Sequence, residues 1–581
     1  MRSLWPLTVA VTLLLTAGAA RLAQLELRDG AALRAQAQRQ QVASWTIPSQ
    51  RGEILDCQGR VLAGSVRRPS VFVDPAMVED VRYAAASVAP VLGMSARALE
   101  EQIRAEPDRR FMWLCREIED QQLEAFEQVR RARGLLGFGV QHEPQRVYPY
   151  ARLAAQVLGF VGSDQHGLAG VELSFDSVLH GKDGRGRSTV DTRRRRVRTH
   201  VSEFERPVDG ATVVLAIDAY LQQRTELHLR EAVEQFKAEW GAAVLMDPHS
   251  GEVLAMATFP DFDPANPVPP NLSEAEQARA AELLRNRAIA DSVEPGSIFK
   301  PYIASCALDE GQTRLDETFR IAGPTRNFGR RTIRDTHPYD VLALHEVISK
   351  SSNIGMGMLA ARLGNERLHR YVRLFGFGDV TGIELPGEHA GLVQDFSRWT
   401  GYSTQSIPIG QEIALTPIQI VSGFAVFANG GVLYRPRLVR GVIGADGRAI
   451  RDESRPIPLR RVLSEETTRR FRMEALVETV LSGTGKQAAI PDYQVFGKTG
   501  TAQVARRDGR GYIPGAYVGS FVGGAPADNP RAVVVVSLYR PSGGKYYGGT
   551  VAAPAAGAIL ADTLTYMRVP PDPHVPGPEN G

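Results

Sequence analysis

Ser297 and Lys300 stand three residues apart in the run Glu294-Pro295-Gly296-Ser297-Ile298-Phe299-Lys300-Pro301. On a helix this spacing puts both side chains on one face, one turn apart, so that an amine can reach a hydroxyl. A serine hydroxyl is a poor nucleophile near neutral pH and needs an adjacent base. A lysine serves as that base only while its amine is neutral, which requires burial or nearby positive charge. Pro295-Gly296 marks a helix start near Ser297, and the positive end of that helix would face the reacting oxygen.

Such a pair alone arises by chance on many exposed helix turns. Two later pieces give it weight: Ser351-Ser352-Asn353 and Lys498-Thr499-Gly500-Thr501. With them the chain holds a nucleophile (Ser297), a base (Lys300), a hydroxyl able to relay a proton between Lys300 and a leaving amine (Ser351), and an amide able to bond a substrate amide (Asn353). The Lys498 segment reads as a strand, so Lys498 and Gly500 face one way and Thr499 and Thr501 the other. Gly500 would let a substrate backbone approach closely. The two threonine hydroxyls suit a substrate carboxylate, and Lys498 adds positive charge beside it. These roles do not fit one flat face, so a twist or bulge is expected at Gly500. The backbone N–H groups of Ser297 and Thr501 would cradle the oxyanion, one such donor being typically worth about 3–4 kcal/mol of barrier.

The elements that must carry these residues follow from the rest of the chain. At 581 residues it is too long for one core, so two or more domains are expected. Formal net charge is +3, from 68 basic and 65 acidic residues, a balance that argues against a nucleic-acid binder. Residues 4–20 form an uncharged apolar run between Arg2 and Arg21. It reads as a membrane anchor that stays, or as a signal peptide cleaved after the small residues Ala17-Gly18-Ala19. The anchor is favoured, because Leu22, Leu25 and Leu27 continue a helical pattern. The three cysteines, Cys57, Cys115 and Cys306, make neither a disulfide framework nor a zinc site; one bridge at most, Cys57 to Cys115, is allowed. Cys306 reads as a buried small hydrophobe. His249 and His337 each follow an aspartate by two residues but lack a fuller ligand cluster. No metal or organic cofactor is implied.

Residues 1–3 would make a short stub, 4–20 the anchor, 21–205 a stalk and first domain, 206–568 a second domain that holds the three motifs and 569–581 a Pro-rich disordered tail. Within the first domain a hairpin is expected around 54–63 and helices at 95–105, 121–133 and 151–158. The basic run 193–196 reads as a solvated hairpin tip or, alternatively, as a contact for anionic lipid or wall polymer. Beyond Pro207, a strand at 212–217 precedes a helix capped by Asp218 and running to about Trp240. Strands at 242–246 and 252–258, a capping box at Ser273 and Glu276, a helical block over 297–427 and strands near 495–503, 516–523 and 532–539 follow, then a last helix at 553–567. Strand, helices, strands, helix means an α+β domain: an antiparallel sheet sandwiched by helices.

The three motifs, in this order, resemble those of the class B penicillin-binding proteins, the monofunctional peptidoglycan D,D-transpeptidases. The resemblance spans about residues 45 to 568. It is carried in the first part by Arg51-Gly52-x-Ile54-x-Asp56-x-x-Gly59, Arg146-x-Tyr148-Pro149 and Gly170-x-Glu172, and in the second by Asp247-Pro248-x-x-Gly251, the three motifs and Thr416-Pro417-Ile418-Gln419. Ser65-Val66, Val73-Asp74-Pro75 and Gly544-Lys545-Tyr546-Tyr547-Gly548-Gly549 look like the division (septal) branch. The resemblance implies that the first domain is a partner-binding pedestal and the second a catalytic transpeptidase domain that is acylated by β-lactams. It implies attack of Ser297 on the D-alanyl-D-alanine bond of one stem peptide and transfer of the acyl group to an amine of another. It gives substrate-binding roles to Asn353, Lys498, Thr499, Gly500 and Thr501, and catalytic roles to Ser297, Lys300 and Ser351.

By the same resemblance the partners are peptidoglycan stem peptides, β-lactams, a polytopic SEDS-type glycosyltransferase and other division proteins, with no nucleic acid. The chain would sit in the inner membrane as a single pass, with its N-terminal stub in the cytoplasm and the catalytic domain outside. Three positions depart from the family pattern: Cys57 for a basic residue, Gln156 for a histidine, and Gly410-Gln411-Glu412 for Gly-x-Gly, which would reshape a loop near the acyl site. The competing readings are a side-wall elongation transpeptidase, a β-lactamase or β-lactam sensor, and a catalytically silent structural division protein. A bifunctional enzyme is disfavoured because Glu119-Asp120 lacks the aromatic residue and histidine that a glycosyltransferase motif needs.

Overall fold

The computed structural model describes residues 5–25, 42–190, 196–269, 272–506 and 511–572. Most of the expected stalk, the core of the basic run 193–196 and most of the Pro-rich tail lie outside these residues. The chain forms two compact units, each assembled from separated segments: 1–50, 69–144 and 180–210 in one, and 51–68, 145–179 and 211–581 in the other.

The first unit begins with the apolar helix Trp5–Gln24, whose mean hydropathy of 1.5 and 20-residue length are enough to cross a membrane. Its globular part packs the helices Val81–Val88, Ala96–Ala105 and Asp120–Ala132 on a small sheet. Asp80 and Ser95 cap the first two helices by accepting backbone N–H bonds. Val71, Val73, Leu99, Ile103 and Phe126 form the core.

The second unit is organised on a five-stranded antiparallel sheet. Its strands are β1 (Trp240–Met246), β2 (Val253–Phe259), β3 (Phe496–Ala505), β4 (Tyr512–Ala525) and β5 (Ala532–Tyr539), in the spatial order β2-β1-β5-β4-β3. Both faces are covered, and alternate residues of one strand enter different cores. Val533 and Val535 join one hydrophobic cluster; Val534, Val536 and Leu538 join the other. The first cluster is shared with α1 (Lys300–Asp309) and α2 (Asn353–Leu374), the second with α3 (Ala553–Tyr566) and the helix Ala219–Phe236. This is the expected helix-sandwiched sheet.

Segments 51–68 and 145–179, within the range read above as stalk and pedestal, pack with the other segments of the second unit. The reason is side-chain chemistry. Glu172 accepts bonds from Arg51 Nε and Arg146 Nε, each at 2.6 Å, and all three side chains are at most 2% exposed. Arg51 also reaches Asp176 at 2.6 Å. Removing one partner of a buried ion network leaves charge uncompensated and typically costs about 3–5 kcal/mol. Glu172→Gln is therefore expected to lower the stability of this unit by about that amount, read as a lower urea midpoint.

The helix expected over 151–158 covers only Ala155–Leu158, because Ala151 and Ala154 take left-handed backbone conformations. The helix capped by Asp218 stops at Phe236, where Lys237 turns left-handed, and Trp240 opens β1 and stacks on Tyr539. The block 297–427 is not wholly helical. It holds two short antiparallel pairs, Thr318–Arg320 with Val341–Ala343 and Thr325–Phe328 with Arg331–Arg334. All three cysteines are free thiols, so the allowed Cys57–Cys115 bridge is not formed, and Cys306 is buried as expected.

Candidate active site

Ser297 lies on a single 3₁₀ turn, Gly296–Phe299, that runs into α1 at Lys300. Gly296 takes φ +56° to enter the turn. Ser297 is partly exposed, whereas Lys300 is fully buried. Lys300 Nζ donates to Ser351 O at 2.5 Å and Ser351 Oγ at 3.1 Å. Its described bonds therefore go to Ser351 rather than to Ser297 Oγ. Burial pushes its amine down to about 7, against the opposing charge of Asp335.

Ser351 sits between α2 and the helix Leu344–Ser349, at φ +63°. That backbone region is costly for a residue with a Cβ and persists only where its surroundings enforce it. They do so here: Ser351 N donates to Ile348 O and Ser352 N to Val347 O, while Ser352 Oγ caps α2 by accepting from Gly355 N at 3.0 Å. Asn353 opens α2, and its Nδ2 donates to Arg334 O at 2.9 Å.

Lys498, on β3, is also fully buried, and its Nζ donates to Ser351 Oγ at 3.0 Å and to Thr499 O at 3.1 Å. Burial, and then the neighbouring Lys300, push this second amine well down. One hydroxyl thus joins two buried amines drawn from a helix and a strand about two hundred residues apart in sequence.

Strand β3 is the edge of the sheet and runs in unbroken register with β4 through Lys498↔Val522, Thr499↔Phe521, Gly500↔Ser520 and Thr501↔Gly519. The bulge expected at Gly500 is absent; the register shifts only between Gln503 and Ala505. Lys498 and Gly500 do share a face, but that face is closed by the nucleophile turn. A Cβ at Gly500 would meet Ile298 Cγ1 and Pro295 O, each at 2.8 Å. The chain's own turn, not a substrate backbone, makes the close approach there. On the opposite face Thr499 is buried and bonds Thr484 Oγ1 at 2.6 Å, and Thr501 Oγ1 accepts from Gly548 N at 3.1 Å. Thr501 is partly exposed and keeps its hydroxyl proton to donate.

The loop at Gly410-Gln411-Glu412 touches the turn from the other side. Gly296 N donates to Gly410 O at 3.1 Å, and a Cβ at Gly410 (φ +77°) would fall 2.1 Å from Gly296 O. Gly410→Ala should therefore displace the Ser297 turn. A misplacement of about 1 Å costs on the order of 10²-fold in rate, which the rate of acylation by a penicillin would read. Glu412, where the family pattern has glycine, takes φ +63°, the conformation a glycine there would favour. Its N–H donates to Glu294 Oε1 at 3.0 Å and its carboxylate accepts from Ser403 Oγ at 2.8 Å. Tyr512 OH donates to Glu294 Oε2 at 3.0 Å. Burial holds the Glu294 carboxyl above its ordinary range.

Sequence reasoning missed Asp335, noticed there only as a neighbour of His337. Its Oδ1 accepts from Asn353 N at 2.5 Å and Ile354 N at 3.0 Å, and its Oδ2 accepts from Ser352 Oγ at 2.5 Å. The only signal in the sequence was an acidic residue less than twenty positions before the Ser351 motif.

A serine on a tight turn packed on an edge strand, together with two buried amines that share one hydroxyl, is the arrangement of a serine acyl-transfer site of the penicillin-recognising class. Residues 241–561 match the penicillin-binding protein transpeptidase domain and residues 46–215 the penicillin-binding protein dimerisation domain. The chain belongs to the penicillin-binding protein transpeptidase family. It is 34% identical over 543 residues to the peptidoglycan D,D-transpeptidase FtsI of Escherichia coli K12, covering 92% of this chain and 86% of that one. It is 33% identical over 527 residues to the stage V sporulation protein D of Bacillus subtilis, covering 90% and 79%. Among solved structures, penicillin-binding protein 3 of Mycobacterium tuberculosis complexed with aztreonam superposes with a TM-score of 0.69 at 29% identity, covering 91% of this chain and 99% of that one.

Proposed function

We propose that this protein is a serine peptidoglycan D,D-transpeptidase that cross-links stem peptides and is acylated by β-lactams. The observation that carries the reading is the bridging of Lys300 and Lys498 by Ser351 Oγ, with Ser297 on the turn that runs into the helix at Lys300. Ser297 Oγ attacks the carbonyl carbon of the penultimate D-alanine while its proton passes to neutral Lys300. The C–N bond of the tetrahedral intermediate breaks, and the leaving D-alanine amine takes a proton through Ser351. In the second step an amine of another stem peptide attacks the ester, its proton returns by the same route, and Ser297 is restored. The N–H groups of Ser297 and Thr501 hold the oxyanion, and Asn353 orients the donor amide. The terminal carboxylate is bound by Lys498, Thr499 and Thr501, with Gly500 fixing the strand against the nucleophile turn. A bound carboxylate favours the charged form of Lys498, opposing the burial that pushes its proton affinity down.

Action at the division septum is proposed from the similarity to FtsI and from the septal-type residues named above. A SEDS-type glycosyltransferase and other division proteins are proposed as partners on the same footing. The helix Trp5–Gln24 is proposed as a single-pass inner-membrane anchor with the N-terminus in the cytoplasm, because the substrate polymer lies outside. The pedestal is proposed to end near residue 205 and the transpeptidase to run from about 206 to 568.

The full chain in detergent, incubated with a fluorescent penicillin, tests this reading. Stoichiometric label on the peptide holding Ser297, released slowly, is expected. Absence of label would refute the transpeptidase, and rapid turnover of the label would favour a β-lactamase.

A further inference from the structure

Asp335 follows the hairpin Thr325–Phe328 and Arg331–Arg334, a segment that carries none of the three motifs. Its carboxylate nonetheless takes both of the first two backbone N–H groups of α2 on Oδ1 and the hydroxyl of Ser352 on Oδ2. The first turn of a helix leaves such donors without intrahelical partners, and an anionic acceptor is the strongest way to satisfy them. The carboxylate thereby pins the residues on the C-terminal side of Ser351, which is held at φ +63°. Among the described residues Asp335 forms no ion pair. Lys350 is drawn to Glu346 at 2.7 Å, and Arg331 is bonded to Gln411 Oε1 at 3.0 Å. The charge of Asp335 is thus not cancelled locally, and it acts on Lys300.

We propose that Asp335 is a positioning residue for the acylation: through Ser352 and the first turn of α2 it locks the Ser351 turn whose hydroxyl bridges the two lysines. The proposal rests on the reading of Lys300 as the base. Burial favours a neutral Lys300, which would make it a weak proton acceptor, and Asp335 opposes that effect. A base is most effective when its proton affinity lies near the operating pH. The carboxylate therefore keeps Lys300 basic enough to take the Ser297 proton while leaving it mostly neutral above pH 7. Asp335 is the charged group acting on this amine; the second amine, Lys498 from β3, meets it at Ser351 Oγ, and Ser351 supplies its hydrogen bonds.

The test is the second-order rate constant for acylation of the full chain by a fluorescent penicillin between pH 5.5 and 8.5. Asp335→Asn keeps an oxygen for the two N–H groups of α2 and removes the charge. Its rate relative to wild type is expected to rise by about threefold or more as the pH falls from 8 to 5.5, because its acidic limb moves to lower pH. Ser352→Ala removes two bonds of the same cluster, to Asp335 and from Gly355 N, and keeps the charge; its plateau should drop with the limb in place. Should Asp335→Asn not fold, Asp335→Ser, uncharged and still able to cap, carries the same expectation. A ratio independent of pH in the uncharged variant would overturn the proposal, as would an equal limb shift in Ser352→Ala. A wild-type protein that takes no label would instead refute the transpeptidase reading and is distinguishable at once.

Discussion

Ser297→Ala is expected to remove covalent labelling by penicillin entirely while leaving the fold intact. The side chain is partly exposed on a 3₁₀ turn whose shape is set by Gly296, Pro295 and Gly410, not by the hydroxyl. Loss of one atom there removes the nucleophile without opening a cavity. Removal of a serine nucleophile typically lowers turnover by about a millionfold, and a stoichiometric acylation assay reads that as zero. Unchanged thermal melting would show that the loss is chemical. A variant that still takes label would place the nucleophile elsewhere, and Ser351 would be the residue to examine next, since its hydroxyl already contacts both amines.

Lys300→Ala should lower the acylation rate by roughly 10²–10⁴-fold, the range typical for loss of a general base. The wild-type protein should show an acidic limb. Lys300 is pushed down to about 7 by burial, so its neutral fraction, and with it the rate, falls about tenfold per pH unit below that point. Above it the amine is neutral and the rate is flat until other groups titrate. Because Lys300 and Lys498 meet at one oxygen, the limb reports the pair rather than either amine alone. A rate independent of pH from 5.5 to 8.5 would remove the case for a lysine base. The alanine also leaves a hole in a fully buried site, so Lys300→Met, similar in volume and without an amine, separates packing from chemistry.

The residues proposed for this chemistry were legible because each lies in a short motif whose local geometry is nearly decided by its own letters. Pro295-Gly296 announces the turn, and the apolar residues around Lys498, Val522 and Val535 announce buried strands. The sandwich followed from the alternation of strands and helices. What could not be read were contacts between distant segments. Arg51, Arg146 and Glu172 were visible as three separate pieces, but a carboxylate 121 positions from its guanidinium gives no periodic signal. Asp335 was hidden for the same reason. The face assignment at Gly500 held in parity but did not show that Pro295 and Ile298 pack there, since strand alternation says which side a residue faces and nothing about what packs on it. The helix drawn to Trp240 failed because apolar residues of the next strand continued its pattern past the left-handed Lys237.

The interleaving of segments also governs how the chain can be dissected. The strand Thr212–Leu215 is flanked on one side by Val439–Ile443, antiparallel, and on the other by Ile54–Leu55, parallel. A truncation beginning at residue 211 would keep all three motifs yet strip away the second neighbour and the whole Arg51–Glu172 pairing. The bared backbone edge would invite strand addition from another molecule, and material expressed that way would tend to aggregate. Soluble versions should retain the residues from before Arg51 onward, even where only the catalytic half is of interest.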